Sequence, residues 1–160
     1  MASRLPLVIA NGVIEQLQSG DTLNVSSSFA VTQTNGEGSV SLVIGMACYS
    51  SAADTVKRAQ ANASATDNVV GLWATSSTSH GSTGSLQWGG ILTATTGQWD
   101  AVVTGESGGL TAGSTYYLDP ATPGYMTAAA PTTAGKYIVP LGVALSTTEF
   151  EINISPSILL

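Results

Sequence analysis

A small group of residues in this chain could support nucleophilic chemistry, and it centres on the sequence GESGG at residues 105–109. This sequence fits the G-x-S-x-G pattern, in which a sharp turn exposes a nucleophilic serine. His80 and Asp100 precede Ser107, so the chain contains the three side-chain types of a hydrolytic triad. In such a triad the histidine removes the serine proton and the acid orients the histidine. The pattern therefore raises the hypothesis of a small serine hydrolase.

The order and spacing of the three residues argue against that hypothesis. An α/β-hydrolase places its histidine after the nucleophile, whereas His80 lies before Ser107. The match to the GDSGG sequence of trypsin-like proteases ends with these five residues, and the separation of 27 positions is too short for their two-barrel fold. Glycine and serine are abundant here, so a chance match is expected. We therefore interpret GESGG as a glycine-rich turn between strands and predict that the chain is not an enzyme.

The sequence also predicts no metal site and no cofactor. His80 is the only histidine and Cys48 the only cysteine, whereas a metal site needs three or four ligands at suitable spacing. Acidic residues occur singly, which excludes a calcium loop, and neither a phosphate-binding loop nor a dinucleotide fingerprint is present. The single cysteine excludes an internal disulfide.

The charge composition excludes further classes of partner. Only 9% of the residues are charged, against about 25% in typical domains, and Ser, Thr, Asn and Gln fill the polar positions. The net charge is −6, and the four cations, Arg4, Lys57, Arg58 and Lys136, are too few and too scattered to bind nucleic acid or an anionic membrane. No apolar run approaches the roughly 20 residues of a membrane span. The opening MASRLPLVIANG is too weakly basic and apolar for a signal peptide, so we expect synthesis in a cytoplasm without export by a cleaved signal.

The elements that position these residues are predicted to be strands throughout. Val, Ile, Thr, Tyr and Trp are frequent, and Gly or Pro interrupts them at short intervals. The pattern predicts an all-β protein, a compact β-barrel or β-sandwich of about eight to ten short strands with an N-terminal β arm. One helical turn is expected after Thr95, because Thr95 and Gln98 have the spacing of a capping box.

The sequence predicts a boundary between an N-terminal arm and a body, in a polar stretch that contains glycines. We assign residues 1–25 to the arm, residues 26–38 to a linker or exposed loop, and residues 39–160 to the body. Within the arm, two short apolar runs flank Asn11 and Gly12 and predict a hairpin. These runs are candidates for strand addition to a capsid or subunit partner, although completion of the body's own sheet remains the alternative. The candidate contact residues are Leu5, Leu7, Ile9, Val13, Ile14 and Leu17.

Several local features of the body carry specific expectations. Residues 68–75, NVVGLWAT, read as a buried strand, and Gly89–Gly90 as a bulge or bend. In STYYLD the two tyrosines, Tyr116 and Tyr117, should point to opposite faces, because side chains alternate along a strand. Residues 150–155 alternate apolar with polar side chains and predict a half-buried strand.

The three tryptophans are the remaining binding candidates, because an indole ring can stack on a sugar. Trp73 lies within the predicted buried strand, Trp88 lies beside the Gly89–Gly90 bend, and Trp99 lies in the predicted helical turn. Core packing is favoured for each of them, since aromatic side chains dominate protein cores.

The order of these segments resembles the small decoration, or cement, proteins of tailed-phage capsids and related domains of phage fibres. The similarity covers residues 45–160 and is carried by the runs GMACYSSAADTVKRAQANASATDNVVGLWAT, GSLQWGGILTATTGQWDAV, GGLTAGSTYYLDPATPGYMTAAAP and VPLGVALSTTEFEINISPSILL. The opening LPLVIANGVIEQLQSGDTL is similar to the leader of phage fibre and other virion proteins.

The resemblance implies a non-enzymatic virion protein that is made in the host cytoplasm and sits on the outer surface of the phage head. It implies a homotrimer that binds the major capsid protein and stabilises the shell. The alternative is a tail fibre or tail-tip protein that binds a host surface glycan. That alternative requires exposed aromatic side chains at Trp88, Trp99, Tyr117 or Tyr125.

Overall fold

A computed structural model of the chain describes residues 29–160 and, as backbone, residues 7–10 and 13–16. Over these residues the all-β class predicted from the sequence is confirmed, with a single short helix, α1 (Thr96–Asp100). The described strands are β1 (Leu7–Ala10), β2 (Val13–Gln16), β3 (Ala30–Asn35), β4 (Leu42–Val43), β5 (Ala47–Ala52), β6 (Thr55–Arg58), β7 (Val69–Trp73), β8 (Ser77–Thr78), β9 (Thr83–Gln87), β10 (Gly90–Thr93), β11 (Thr115–Leu118), β12 (Met126–Thr127), β13 (Tyr137–Ile138), β14 (Pro140–Ala144), β15 (Glu149–Ile152) and β16 (Ile158–Leu159). The sixteen strands exceed the eight to ten expected, because five of them span only two residues, too few to show a pattern in the sequence.

Five strands close a barrel in the order β3-β6-β5-β7-β9. Neighbouring strands are antiparallel except β3 and β6, which run parallel. The barrel begins in the segment that the sequence assigns to a linker, so that assignment is wrong for Ala30–Asn35. Residues 26–28 of the assigned linker lie outside the described residues.

The side chains of β3 explain why its sequence looks like a linker. Thr, Gln and Asn occupy four of its six positions, and the strand is held by backbone pairing to β9 along its length and to β6 at its end. Its last residue, Asn35, is fully buried, and its side-chain amide donates to the carbonyls of Val40 and Thr78 at 2.9 and 2.8 Å. A buried amide that is hydrogen-bonded in this way anchors the strand without apolar side chains.

The second large sheet has the order β10-β15-β14-β11-β12, with antiparallel neighbours throughout. In β15, Phe150 and Ile152 are buried and the two glutamates are exposed, which confirms the predicted half-buried strand as far as Ile152. Residues 153–155, which the prediction included, lie beyond the end of the strand. In β11, Tyr116 is fully buried and Tyr117 is half-buried, in agreement with the expected alternation.

Trp99 joins the barrel to this sheet. The predicted capping box starts α1: Thr95 Oγ1 accepts a hydrogen bond from Gln98 N at 3.2 Å, and Gln98 Oε1 accepts one from Thr95 N at 2.9 Å. The helix places the fully buried indole of Trp99 with its ring centroid 5.9 Å from that of Phe150 on β15. On its other side the indole packs against Gly45, where an added Cβ would lie 2.8 Å from the ring. One continuous core therefore serves both sheets.

The turn that follows β11 is bonded to the barrel. The buried carboxylate of Asp119 accepts hydrogen bonds from Ala121 N and Thr122 N, which folds the turn back on itself. Gly124, at φ +82°, then donates from its amide to Ala59 O at 2.7 Å and accepts at its carbonyl from Ala47 N at 2.9 Å. The Pro- and Gly-rich turn thus connects β11 to the barrel through backbone hydrogen bonds.

The arm contains the predicted hairpin. β1 and β2 pair antiparallel, with Ile9 opposite Ile14 and Leu7 opposite Gln16. Four of the candidate contact residues, Leu7, Ile9, Val13 and Ile14, therefore lie on paired strands. The other two, Leu5 and Leu17, lie outside the described residues.

Candidate functional site

The structure places the three candidate triad residues in different settings. Both carboxylate oxygens of Asp100 accept backbone hydrogen bonds, from Gly109 N at 2.7 Å and from Gly108 N at 3.1 Å. His80 and Ser107 are exposed, and no hydrogen bond joins either of them to the other or to Asp100 within residues 29–160. Asp100 thus holds the GESGG turn in place, in agreement with the interpretation of that sequence as a glycine-rich turn.

A second network fixes the same turn from the other side. The hydroxyl of Tyr116 donates to Glu106 Oε2 and accepts from Thr111 N at 2.8 Å. Burial, followed by the hydrogen bond to Glu106, raises the pKa of Tyr116 to about 12. The phenol is therefore a neutral donor at physiological pH, and its role in the described structure is to tie the turn to β11.

The other candidate ligands are dispersed. Cys48 is fully buried, and burial raises the pKa of its thiol far above the usual range. Among the residues that the structure describes, no group of three or more His, Cys, Asp or Glu side chains could hold a metal ion. In the same part of the chain, no helix has both the length and the apolar character needed to cross a membrane.

The three tryptophans differ in exposure. Trp73 and Trp99 are completely buried, as predicted, and each indole N–H is satisfied, by Thr78 Oγ1 and Thr148 O respectively, both at 3.1 Å. Trp88, for which core packing was also expected, is 49% exposed, so that prediction is wrong for this residue. The bend that follows it turns the chain from β9 into β10 and leaves the indole outside the core.

Trp88 belongs to an exposed apolar cluster, here called the Phe29–Trp88 patch and defined by Phe29, Val31 and Trp88. Phe29 and Trp88 meet edge to face, with ring centroids 5.4 Å apart and an angle of 77°. The backbone N–H of Trp88 donates to Phe29 O at 2.8 Å, so the two residues are direct cross-strand neighbours. Val31, in β3, follows Phe29 by two positions, a spacing that places two side chains on the same side of an extended chain. Phe29 and Val31 are 43% and 45% exposed, so the patch presents three large apolar side chains to solvent.

The predicted bend at Gly89–Gly90 supports this patch. Gly90 has φ +73°, and the ring of Phe29 covers both glycines so closely that an added Cβ would lie 3.1–3.2 Å from it. Gln87 braces the bend, because its side-chain amide donates to Gly89 O at 2.9 Å and to Ile91 O at 3.0 Å. The patch therefore rests on a defined backbone geometry. Sequence reasoning missed Phe29 because it falls within the assigned linker, although the spacing of Phe29 and Val31 fits one face of a strand.

A second exposed apolar cluster lies at residues 158–160. Ile158 and Leu159 form β16, which pairs only with the two-residue strand β13, and Leu160 continues the pairing through hydrogen bonds of 2.9 Å to Lys136 and Gly135. Their exposed fractions are 59%, 61% and 40%. Such a short two-stranded ribbon gains little stability by itself, so these side chains are available for contact with another surface.

No protein-family model, no curated protein and no solved structure matches this chain. What the chain can bind must therefore be inferred from its own surfaces. Those surfaces are poor in charge, and their most distinctive features are the two exposed apolar clusters.

Proposed function

We propose that this chain is a non-enzymatic structural protein of a tailed-phage virion, a decoration protein that binds the outer surface of the head as a homotrimer and stabilises the shell. The observation that carries the proposal is the Phe29–Trp88 patch. Soluble monomers rarely leave several large apolar side chains together on the surface, and tryptophan is enriched where proteins meet. The resemblance of residues 45–160 to capsid decoration proteins specifies which partner we propose, the major capsid protein.

The rest of the molecule supports a binding role. The described hydrogen bonds of Asp100, Glu106 and Tyr116 all serve to fix a turn, which suits a rigid scaffold. A scaffold with polar but mostly uncharged side chains loses little on desolvation when it contacts another protein. A protein that binds the assembled shell better than its free subunits stabilises the shell by mass action, and many identical contacts act together.

The arm is the second element of the proposal. The hairpin β1–β2 has only two strands, a size that is marginal in isolation. Addition of its edge to a sheet of the major capsid protein or of a neighbouring copy would add backbone hydrogen bonds to those between β1 and β2. The arm residues on these strands, Leu7, Ile9, Val13 and Ile14, are the ones we propose for that contact.

The alternative function, glycan binding by a fibre or tail-tip protein, is favoured by the exposure of Trp88. Of the four aromatics that this alternative requires, Trp99 is buried and Tyr117 and Tyr125 are half-buried. Trp88 could stack on a sugar ring, but Phe29 meets it edge to face, and the amide nitrogen of the neighbouring Gln87 is already bonded to Gly89 O and Ile91 O. We therefore rank decoration above glycan binding.

A binding titration tests the proposal. Purified protein is added to capsids of the source phage that have been stripped of it, and bound copies per particle are counted at saturation. Decoration predicts saturation at a multiple of three in the hundreds, whereas a plateau at a handful of copies, or binding to host cells instead, assigns the protein to the tail.

A pair of variants connects that titration to the patch. Trp88→Ala removes the indole of the patch and should weaken shell binding at least tenfold, because exposed aromatic anchors carry much of the binding energy at interfaces. Leu145→Ala is the matched control, since Leu145 is 45% exposed but lies between β14 and β15. If both variants bind the shell equally well, the Phe29–Trp88 patch does not contribute to the shell contact.

A further inference from the structure

Asp67 is a buried acidic residue without a partner. The residue is 4% exposed, and within the described residues its carboxylate makes no hydrogen bond and no ion pair. Its backbone carbonyl alone is engaged, by Val69 N at 2.9 Å. A carboxylate withdrawn from water without compensation is unfavourable, so such a group calls for a binding partner.

Asp67 lines a pocket. Asp67, Asn68 and Val69 form one wall, and the segment from Ile154 to Ser157 forms the other, around a volume of about 250 Å³. In residues 29–160, the one side-chain atom that is fully sealed from solvent without a hydrogen bond is Arg58 Nε. The unpartnered oxygens of Asp67 are therefore not fully sealed from solvent, and Asp67 is one of the residues that line this pocket.

No cation among residues 29–160 pairs with this carboxylate. Arg58 faces Glu37, with Nε 3.2 Å from Oε1, and that is the one ion pair in the described part of the chain. The whole chain carries a net charge of −6, so its surroundings favour a positively charged ligand further.

The walls of the pocket specify the shape of that ligand. Val69, Ile154 and Pro156 are apolar, while Asn68, Ser155 and Ser157 are polar. The volume of about 250 Å³ is several times the ~30 Å³ that one water occupies in the liquid, so the pocket is too large for a bare ion. A calcium ion would also need six to eight oxygen ligands, and Asp67 is the only carboxylate in the lining.

We propose that this pocket binds an arginine side chain of a partner protein, whose aliphatic stem lies against Val69, Ile154 and Pro156 and whose guanidinium pairs with Asp67. A guanidinium is planar, weakly hydrated and able to bind a carboxylate through two parallel hydrogen bonds, which suits the carboxylate of Asp67. The hydroxyls of Ser155 and Ser157 and the amide of Asn68 can accept the remaining N–H donors. The inference goes beyond the proposed function, because it identifies a chemical group and holds for any protein partner.

The test uses the full-length chain labelled with ¹⁵N and the small probe Nα-acetyl-arginine methylamide. We expect saturable amide shifts at residues 67–69 and 154–157, excluding Pro156, with a dissociation constant in the millimolar range, as befits one isolated side chain. The matched probe Nα-acetyl-citrulline methylamide has the same shape without the charge, and it should bind at least tenfold more weakly.

Two variants complete the test. Asp67→Asn should abolish the preference for the arginine probe, whereas Glu149→Gln, at an exposed strand position, should leave it unchanged. The proposal is overturned if the arginine probe produces no saturable shifts, if citrulline binds equally well, or if Asp67→Asn binds like the parent. Calcium chloride that shifts the same amides in place of the arginine probe would identify a metal site and also overturn it. The comparison of the two probes on the parent chain stands even if Asp67→Asn fails to fold.

Discussion

Replacement of Asp100 distinguishes a structural acid from a catalytic one. In Asp100→Ala the GESGG turn loses two hydrogen bonds, one of 2.7 Å from Gly109 N and one of 3.1 Å from Gly108 N. Gly109 is buried at φ +89°, and an added Cβ there would lie 2.3 Å from Thr147 O, so the turn has little freedom to find another arrangement.

The expected magnitude follows from these contacts. A hydrogen bond to a charged acceptor contributes about 1.5–3 kcal/mol. The partly buried bond to Gly109 counts in full, and the exposed bond to Gly108 counts for a fraction because solvent screens it. We expect the free energy of unfolding to fall by about 2–3 kcal/mol, which corresponds to a decrease of about 4–12 °C in Tm for a chain of this size.

The assay is urea unfolding followed by tryptophan fluorescence, combined with labelling by a fluorophosphonate serine probe. Ser107→Ala is the matched control within the turn: Ser107 is exposed, so the free energy of unfolding should change by less than about 0.5 kcal/mol. We expect no labelling of the parent chain. Labelling of Ser107 that His80→Ala or Asp100→Ala abolishes, with stability unchanged, would refute this reasoning and restore the hydrolase hypothesis.

Three further predictions concern the scaffold. Gly142→Ala places a Cβ 2.0 Å from Glu151 O at φ +152° and should lower the free energy of unfolding by more than about 3 kcal/mol. Gly97→Ala in α1 has open space around it and should be neutral or stabilising, and thermal unfolding compares the two variants. Tyr116 has a pKa of about 12 in the folded state and about 10 when unfolded, so above pH 10 the unfolded chain binds fewer protons than the native one. Stability should therefore decrease as pH rises from 10 to 12, and urea titrations should show a smaller decrease in Tyr116→Phe. Trp73→Phe removes the 3.1 Å hydrogen bond to the buried hydroxyl of Thr78 and should lower the free energy of unfolding in urea by about 1–3 kcal/mol. Trp88→Phe, at an exposed position, should lower it by less than about 0.5 kcal/mol.

The sequence predicted best where local chemistry decides the structure. The capping box at Thr95 and Gln98, the alternation of β15 and the opposite faces of Tyr116 and Tyr117 all depend on residues within a few positions of one another. These features were therefore visible in the sequence and are confirmed.

The predictions from sequence failed where pairing between strands distant in the chain determines the structure. Ala30–Asn35 has polar side chains and no apolar alternation, and it becomes a strand because β6 and β9 supply backbone partners that no local pattern reveals. The exposure of Trp88 depends on the same pairing, since β3 brings Phe29 beside it. The pocket at Asp67 combines two segments separated by most of the body, so no spacing in the sequence could have indicated it.

The pairing of β3 with β9 also affects how the chain folds during its synthesis. β3 is complete at Asn35, but its partner β9 ends only at Gln87, roughly 50 residues later. At about 5–20 residues per second, a ribosome takes roughly 3–10 s to cover that distance, and the barrel stays open throughout. During this interval β3 contains a single large apolar side chain, Val31. The polar composition that prevents recognition of β3 in the sequence thus protects the nascent chain from aggregation until β9 has been synthesised.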